Sequence, residues 1–135
     1  MDSNEVWLEV TALDAAGKAI AASGARGHDG TVDGEAHLVR AQPVDGRGAP
    51  LTRRDPQHQR GVAFDMALTP SDPQVVRYEV PKGTARVRAR LLYRKFTASY
   101  AAFACGDLPA PTRARCLDLP IAEIASANPR TAGSI

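Results

Sequence analysis

The segment Ala85–Phe96, ARVRARLLYRKF, places basic side chains at alternate positions between small or apolar ones. In an extended chain neighbouring side chains point to opposite faces, whereas a helix would scatter these arginines around its whole circumference. The period of two therefore predicts a long, half-buried strand. We take it as a central strand of an antiparallel sheet, so the rest of the chain must supply its neighbours.

Several other segments alternate in the same way and are separated by residues that favour turns. Glu5–Leu13 and Lys18–Ser23 flank Asp14–Gly17 and predict an antiparallel hairpin, because Asp opens a turn and Gly supplies a positive φ. A third strand is predicted over 37–44, which ends at the turn signal Asp45-Gly46. Residues 51–59 are polar and are interpreted as an edge strand or a loop.

The second half of the chain continues the pattern. Strands are predicted over 61–68, 74–80 and 120–125, and Pro81-Lys-Gly83 is predicted to turn the chain into the basic strand. The inward face of 61–68 is predicted to carry Val62, Phe64, Met66 and Leu68. Residues 97–104 are rich in alanine and begin with Thr97, a suitable N-cap, so a short helical turn is predicted there.

About seven short strands joined by frequent turns predict an all-β protein. We expect an antiparallel immunoglobulin-like or fibronectin-like β-sandwich, with an open barrel as the competing architecture. A length of 135 residues suits one domain. We assign residues 1–126 to this domain and residues 127–135 to a flexible C-terminal tail.

Charge and hydropathy exclude some classes of partner. Lysine and arginine number 17 against 15 aspartate and glutamate, so no basic surplus indicates nucleic acid binding. No apolar run approaches the roughly 18 residues that a membrane span needs, so no transmembrane segment is predicted. The charged N-terminus MDSNEVW has no signal-peptide core, and we interpret Met1 as a start placed inside a longer protein.

The two cysteines, Cys105 and Cys116, enclose the proline-rich segment GDLPAPTRAR, which is predicted to be a loop. We predict a disulfide, which stabilises the fold by roughly 3 kcal/mol on the chain-entropy model. It points to the periplasm or another extracytoplasmic compartment. The alternative is two unrelated thiols, one of them buried.

No residue is predicted to be catalytic, to bind a cofactor or to ligate a metal, and no enzyme is predicted. The three histidines, His28, His37 and His58, lack metal-ligand spacing, although each stays a weak candidate for contact with a metal or an iron. Asp29–Glu35 resembles a calcium loop only faintly and has the wrong spacing. Recognised catalytic motifs are absent, as is the Cys-x-x-Cys-His motif that attaches haem c.

The basic side chains of the segment 85–96 and the single tryptophan each predict a contact. The basic stripe Arg86, Arg88, Arg90, Arg94 and Lys95 is expected to pair across strands with Glu5, Glu9 or Glu79 rather than to bind an acidic partner. Trp7 lies on the charged face of its strand. That face is therefore expected to be covered, either by a neighbouring loop or by a domain outside this chain.

Three segments together resemble the C-terminal β domain of bacterial multihaem c-type cytochromes. These are DSNEVWLEVTALDAAGKAI at 2–20, DGEAHLVRAQPVDGRGAP at 33–50, and VVRYEVPKGTARVRARLLYRKF at 75–96 followed by SYAAFA. In that family the domain follows a run of haem-binding motifs and opens on Asp-x-x-x-x-Trp-Leu-Glu. Asp2, Trp7, Leu8 and Glu9 match that opening, and the resemblance covers about the first three quarters of the chain.

The resemblance implies a non-catalytic cap or docking module in a periplasmic electron-transfer protein. Haem c is expected in the missing upstream part, and no haem ligand carries over to this chain. The implied partner is the upstream haem-bearing domain or a redox protein, with His37 and His58 as candidates for contact with a haem. The alternative is a stand-alone secreted adhesion or carbohydrate-binding sandwich, against which the scarcity of aromatic residues argues.

Overall fold

The computed structural model describes residues 4–52 and 55–129. Within them lie seven strands, a 3-10 helix and two α-helices. The strands are β1 Glu5–Leu13, β2 Ala19–Ser23, β3 His37–Leu38, β4 Ala41–Val44, β5 Gly61–Asp65, β6 Arg86–Arg94 and β7 Ile121–Ala127. The 3-10 helix is Pro56–His58, and the α-helices are α1 Ala98–Cys105 and α2 Ala110–Leu117.

The main sheet is antiparallel and is centred on β1 and β6. Its order is β2-β1-β6-β7, and β3 pairs with β1. The β1–β6 ladder runs in unbroken register from Glu5 opposite Arg94 to Leu13 opposite Arg86. The basic segment is thus a central strand, as its period of two predicts.

β2 and β3 lie along the same edge of β1 but beside different parts of it. β2 pairs with Val10 to Leu13, whereas β3 pairs with Trp7 and Leu8. The predicted hairpin between β1 and β2 is confirmed. Its turn is stabilised by the Asp14 carboxylate, which accepts hydrogen bonds from the amides of Ala16 and Lys18.

The prediction of one strand over 37–44 is wrong. The chain breaks at Val39 and Arg40, so β3 joins the main sheet while β4 pairs with β5 in a separate two-stranded sheet. The bend follows from the pairing, because Val39 still donates to the carbonyl of Val6 while the next residue already bonds to Met66. The segment 51–59, predicted as an edge strand or a loop, contains the 3-10 helix, and residues 53–54 lie outside the described part.

Two further strand predictions need correction. Residues 74–80 alternate but form no strand with any segment of the described protein, and Val75 is 75% exposed. Alternation alone does not provide the partner strand that a ladder needs. β5 ends at Asp65, and its predicted inward face is open: Val62, Phe64 and Leu68 are 50%, 41% and 52% exposed. No second layer of the described protein covers that face.

The region between the cysteines is helical rather than a loop. α2 begins after Pro109, which occupies the N-cap, and Pro111 lies in its first turn, where a missing amide hydrogen breaks no helical hydrogen bond. The disulfide between Cys105 and Cys116 is confirmed, with the two Cα atoms 6.0 Å apart. It ties the end of α1 to α2. The predicted N-cap is also confirmed, since the Thr97 hydroxyl accepts from the Tyr100 amide.

The core is small and lies under the loop that follows β2. Trp7, Val32 and Leu92 form its centre, and Ala36, Leu38 and Ile121 pack around them. The antiparallel all-β class is confirmed, with two short helices in addition. The immunoglobulin-like or fibronectin-like topology stays a prediction, as do the domain limits of 1–126. β7 continues through Ala127, and residues 130–135 of the predicted tail lie outside the described part.

Candidate functional site

An open cleft of about 960 Å³ lies at the end of the main sheet where β1 begins and β6 ends. Its lining includes the loop at 31–34, the segment 36–43, side chains of β5 together with Met66, and the start of α1. Glu5 and Arg94 line its inner end. The cleft therefore joins the main sheet, the two-stranded sheet and α1.

A buried ion pair closes the inner end of the cleft. Glu5 and Arg94 lie directly opposite each other on β1 and β6, and they are only 6% and 3% exposed. Arg94 Nε donates to Glu5 Oε2 at 2.6 Å, Nη2 contacts the same carboxylate, and Nη1 donates to the Gly30 carbonyl at 2.6 Å. The guanidinium thus holds the loop around residue 30 as well as the carboxylate.

Trp7 is fully buried beside this pair. Its indole Nε1 donates to the carbonyl of Gly24 at 3.1 Å, and the Arg94 guanidinium lies 5.5 Å from its ring centre. Gly24 has a φ of +79°, and a Cβ there would lie 2.4 Å from the Leu8 carbonyl oxygen, so only glycine fits. Of the two covers expected for Trp7, the structure shows the neighbouring loop.

A second cross-strand pair lies further along the same face. Arg90 Nε donates to Glu9 Oε1 at 2.9 Å, and Arg90 Nη1 lies 3.7 Å from a carboxylate oxygen of Glu123 on β7. The predicted cross-strand pairing of the basic stripe is therefore confirmed for Arg90 and Arg94. Arg86 and Arg88 are exposed.

Arg40 is the unusual cation of the cleft. It stands in the bend between β3 and β4, and its Nε is buried without a hydrogen-bond partner among the described residues. No ion pair joins its side chain to a carboxylate of the described protein. Nothing in the sequence distinguishes Arg40 from the other arginines.

The predicted weak histidine candidates lie apart from one another. His37 lines the cleft, and its Nε2 is 3.0 Å from Gln74 Oε1. Because the Gln74 amide donates to the Met66 carbonyl at 3.0 Å, its oxygen is the atom that accepts from His37 Nε2. His58 is exposed, with its Nδ1 bonded to Asp55 Oδ2 at 2.6 Å, and His28 is exposed in the loop after β2.

The carboxylates of the faint calcium pattern are used in turns. Asp29 accepts from the amide and the hydroxyl of Thr31, and Asp33 accepts from the Glu35 amide. The hydrogen bonds from Thr31 lower the pKa of Asp29, because they favour its charged form. No group of three or more metal-binding side chains occurs within residues 4–52 and 55–129.

Comparison with known proteins gives one informative likeness. No protein-family model matches the chain, and no curated protein sequence matches it. Among solved structures, the chain is similar to a penta-heme cytochrome c552 from Thermochromatium tepidum, with 25% sequence identity and a TM-score of 0.63. The alignment covers 93% of this chain and 30% of that one.

The fold is thus similar to that of one region of this cytochrome. The chain spans less than a third of the length of that structure, so the likeness concerns one region of a larger protein. It supports the resemblance to multihaem c-type cytochromes at the level of the fold.

A haem could be attached to this chain covalently or could only contact it, and the two cases require different residues. Covalent attachment does not fit, because the chain has no Cys-x-x-Cys-His motif and both its cysteines are joined in the disulfide. Contact without attachment does fit the cleft, which combines apolar side chains with Arg40, a half-buried arginine that has no carboxylate partner among the described residues. Arg40 is suited to a carboxylate, and Phe64 and Met66 to an apolar surface.

Neither α1 nor α2 is long and apolar enough to cross a membrane, and the same is true of every helix in the described part.

Proposed function

We propose that this chain is a non-catalytic domain of a multihaem cytochrome c-like electron-transfer protein, in which it acts as a structural cap or docking module. The observation that carries the proposal is the match of 93% of the chain to 30% of a penta-heme cytochrome at a TM-score of 0.63. The haem-attachment motifs would belong to the remaining part of such a protein, because this chain has none.

The use of its charged side chains supports a scaffold role. Glu5 and Glu9 pair with arginines of β6, while Asp29 and Asp45 accept backbone hydrogen bonds in turns. These carboxylates are thus used to stabilise local structure, as expected of a scaffold.

The surface beyond β5 supports a docking role. Val62, Phe64, Leu68 and Val75 are each at least 41% exposed, and they lie within one segment of fourteen residues, 62–75. A concentration of exposed apolar side chains is typical of a surface that another protein covers. In a protein three times as long, the haem-bearing part is the natural candidate for that cover.

The disulfide supports a periplasmic or other extracytoplasmic location. Such bonds persist in oxidising compartments and are rare where thiol reductants are abundant.

The proposal is tested on the native polypeptide. An antibody raised against this chain is used to purify the protein from its source under denaturing conditions, and the product is stained for covalently bound haem on a gel. We expect a haem-positive band larger than the 14.3 kDa of this chain. A haem-negative band, with a known cytochrome c on the same gel as positive control, would refute the proposal.

A further inference from the structure

We propose that the cleft receives the edge of a haem carried by the partner domain, and that Arg40 binds a propionate of that haem. This inference rests on the proposed function and deepens it, since it assigns a ligand and a contact residue to a site on this chain. The haem stays attached to the partner and is only touched by this chain.

Arg40 has a side-chain donor that is not paired within the described protein. Its Nε is shielded from solvent by the protein and has no acceptor among the described residues. A buried donor without a partner is costly, and the cost is larger when the group is charged. Arg40 is only half-buried as a residue, so a carboxylate that enters the cleft would pair with the guanidinium through its terminal nitrogens and offset the cost of the buried Nε.

The other arginine of the cleft is already paired. Arg94 is bonded to Glu5 and to the Gly30 carbonyl, so it holds the fold together rather than a ligand. The lining carboxylate of Asp33 accepts a hydrogen bond from the Glu35 amide. Among the described lining residues, Arg40 is the arginine left for an anionic ligand.

The cleft is large and partly apolar. A volume of about 960 Å³ far exceeds that of one carboxylate side chain. Leu38, Val62, Phe64 and Met66 line it together with Arg40, and Val62 and Phe64 remain about half exposed. The occupant should therefore carry a broad apolar surface beside a carboxylate, and a haem edge with its two propionates has this composition.

His37 also lines the cleft, but its side chain is not free to bind an iron. The ring Nε2 that would face an iron is engaged with Gln74, which is itself bonded to the Met66 carbonyl. The proposed contact is therefore with the periphery of the haem, and this chain supplies no iron ligand.

The experiment uses a free haem as probe. Iron(III) mesoporphyrin IX, with both axial positions filled by imidazole, is titrated into the chain at submicromolar concentration. Binding is followed by quenching of the single tryptophan, Trp7. The same titration is made with the dimethyl ester of the porphyrin, which keeps the macrocycle but removes both propionate charges. Arg40→Gln and Arg40→Lys are compared with Arg88→Gln, a matched change at an exposed arginine of β6.

We expect Arg40→Gln to weaken binding of the diacid by about 10- to 100-fold, as for loss of a charge-assisted hydrogen bond. Arg40→Lys should recover part of this loss, and Arg88→Gln should bind like the wild type. The dimethyl ester should bind the wild type about as weakly as the diacid binds Arg40→Gln.

Three results would overturn the inference. The first is that the wild type binds the diacid and the ester equally well, and the second is that Arg40→Gln binds the diacid as tightly as the wild type does. The third is that the wild type does not bind the diacid. The comparison of diacid with ester needs no variant, so it decides the matter even if Arg40→Gln does not fold. A haem-positive native polypeptide together with any of these results would leave the proposed function standing and remove only the role of Arg40. A haem-negative polypeptide would remove the proposed function itself.

Discussion

Arg94 donates from Nε to Glu5 Oε2 at 2.6 Å across β6 and β1, and both residues are more than nine-tenths buried. The same guanidinium donates to the Gly30 carbonyl and lies over the ring of Trp7. One side chain therefore joins the two central strands, the loop after β2 and the aromatic centre of the core.

Arg94→Met is expected to lower the free energy of unfolding by about 3–5 kcal/mol, because it leaves the Glu5 carboxylate buried and unpaired. Urea unfolding measures the loss. Replacing both partners, as in Glu5→Leu with Arg94→Met, should recover part of it, since no lone charge then remains. A loss below 1 kcal/mol for Arg94→Met would contradict the assigned role.

Arg90→Met provides the matched control on the same strand. The Arg90 side chain is 31% exposed and that of Glu9 is 12% exposed, so solvent screens this pair more than the Glu5–Arg94 pair. We expect a loss of about 1 kcal/mol or less. If the two arginine variants lost equal stability in the same urea series, burial would not be what distinguishes the pairs.

Trp7→Phe is expected to destabilise the protein by about 1–3 kcal/mol, because the Gly24 carbonyl loses its donor and the ring becomes smaller. The loop at 24–34 should then become more sensitive to proteolysis, and limited digestion with mapping of the cleavage sites measures this. Because Trp7 is fully buried, the emission of the wild type should be blue-shifted and resistant to acrylamide. An emission maximum typical of an indole in water would contradict the position of Trp7.

Replacement of both cysteines, Cys105→Ser with Cys116→Ser, is expected to destabilise the protein by about 3 kcal/mol on the chain-entropy model. The two residues are separated by 11 positions, so the bond closes a short loop around the α1–α2 junction. Thermal unfolding with and without reductant measures the effect on the wild type. The double variant serves as control, and its midpoint should not respond to reductant.

Asp45 predicts a dependence of stability on pH. Hydrogen bonds from the amides of Ala49 and Arg47 lower the pKa of Asp45 in the folded protein. A carboxyl group whose folded pKa is lowered contributes fully above its unfolded pKa of about 3.9, and the contribution disappears as pH falls through the folded value.

The advantage in unfolding free energy of the wild type over Asp45→Asn should thus be constant above about pH 5 and shrink below about pH 4. Asparagine keeps an oxygen that can accept hydrogen bonds but carries no charge. Unfolding in urea at several pH values measures the difference, and an advantage that grew on acidification would have the wrong sign.

Local patterns predicted the elements that depend on local chemistry. β1 has the predicted limits, and β6 lies within the predicted segment, because alternation and a short hairpin specify them. The segment 74–80 alternates equally well but forms no strand, since pairing depends on a neighbour that the pattern does not reveal. α2 was missed because the proline-rich segment was predicted to be a loop, although both prolines lie where the helix begins.

The cleft could not be predicted in the same way. It is formed by residues from 31–43, 62–66 and 94–100, which are distant along the chain. The pairing of β3 and β6 with β1, the bend at Arg40 and the pairing of β4 with β5 bring them together. The sequence predicted the cross-strand partners of Arg90 and Arg94, because opposite charges on adjacent strands attract. It did not predict that Arg40 lacks such a partner.

We infer that the cleft face of this β scaffold packs against a haem-bearing partner. Amide hydrogen exchange, compared between the isolated chain and the native haem protein, tests this most directly. We predict that residues 36–43 and 62–66 exchange more slowly in the native protein, while the β1–β2 turn at 14–18 is unchanged. Equal exchange at the cleft in both forms would contradict the account.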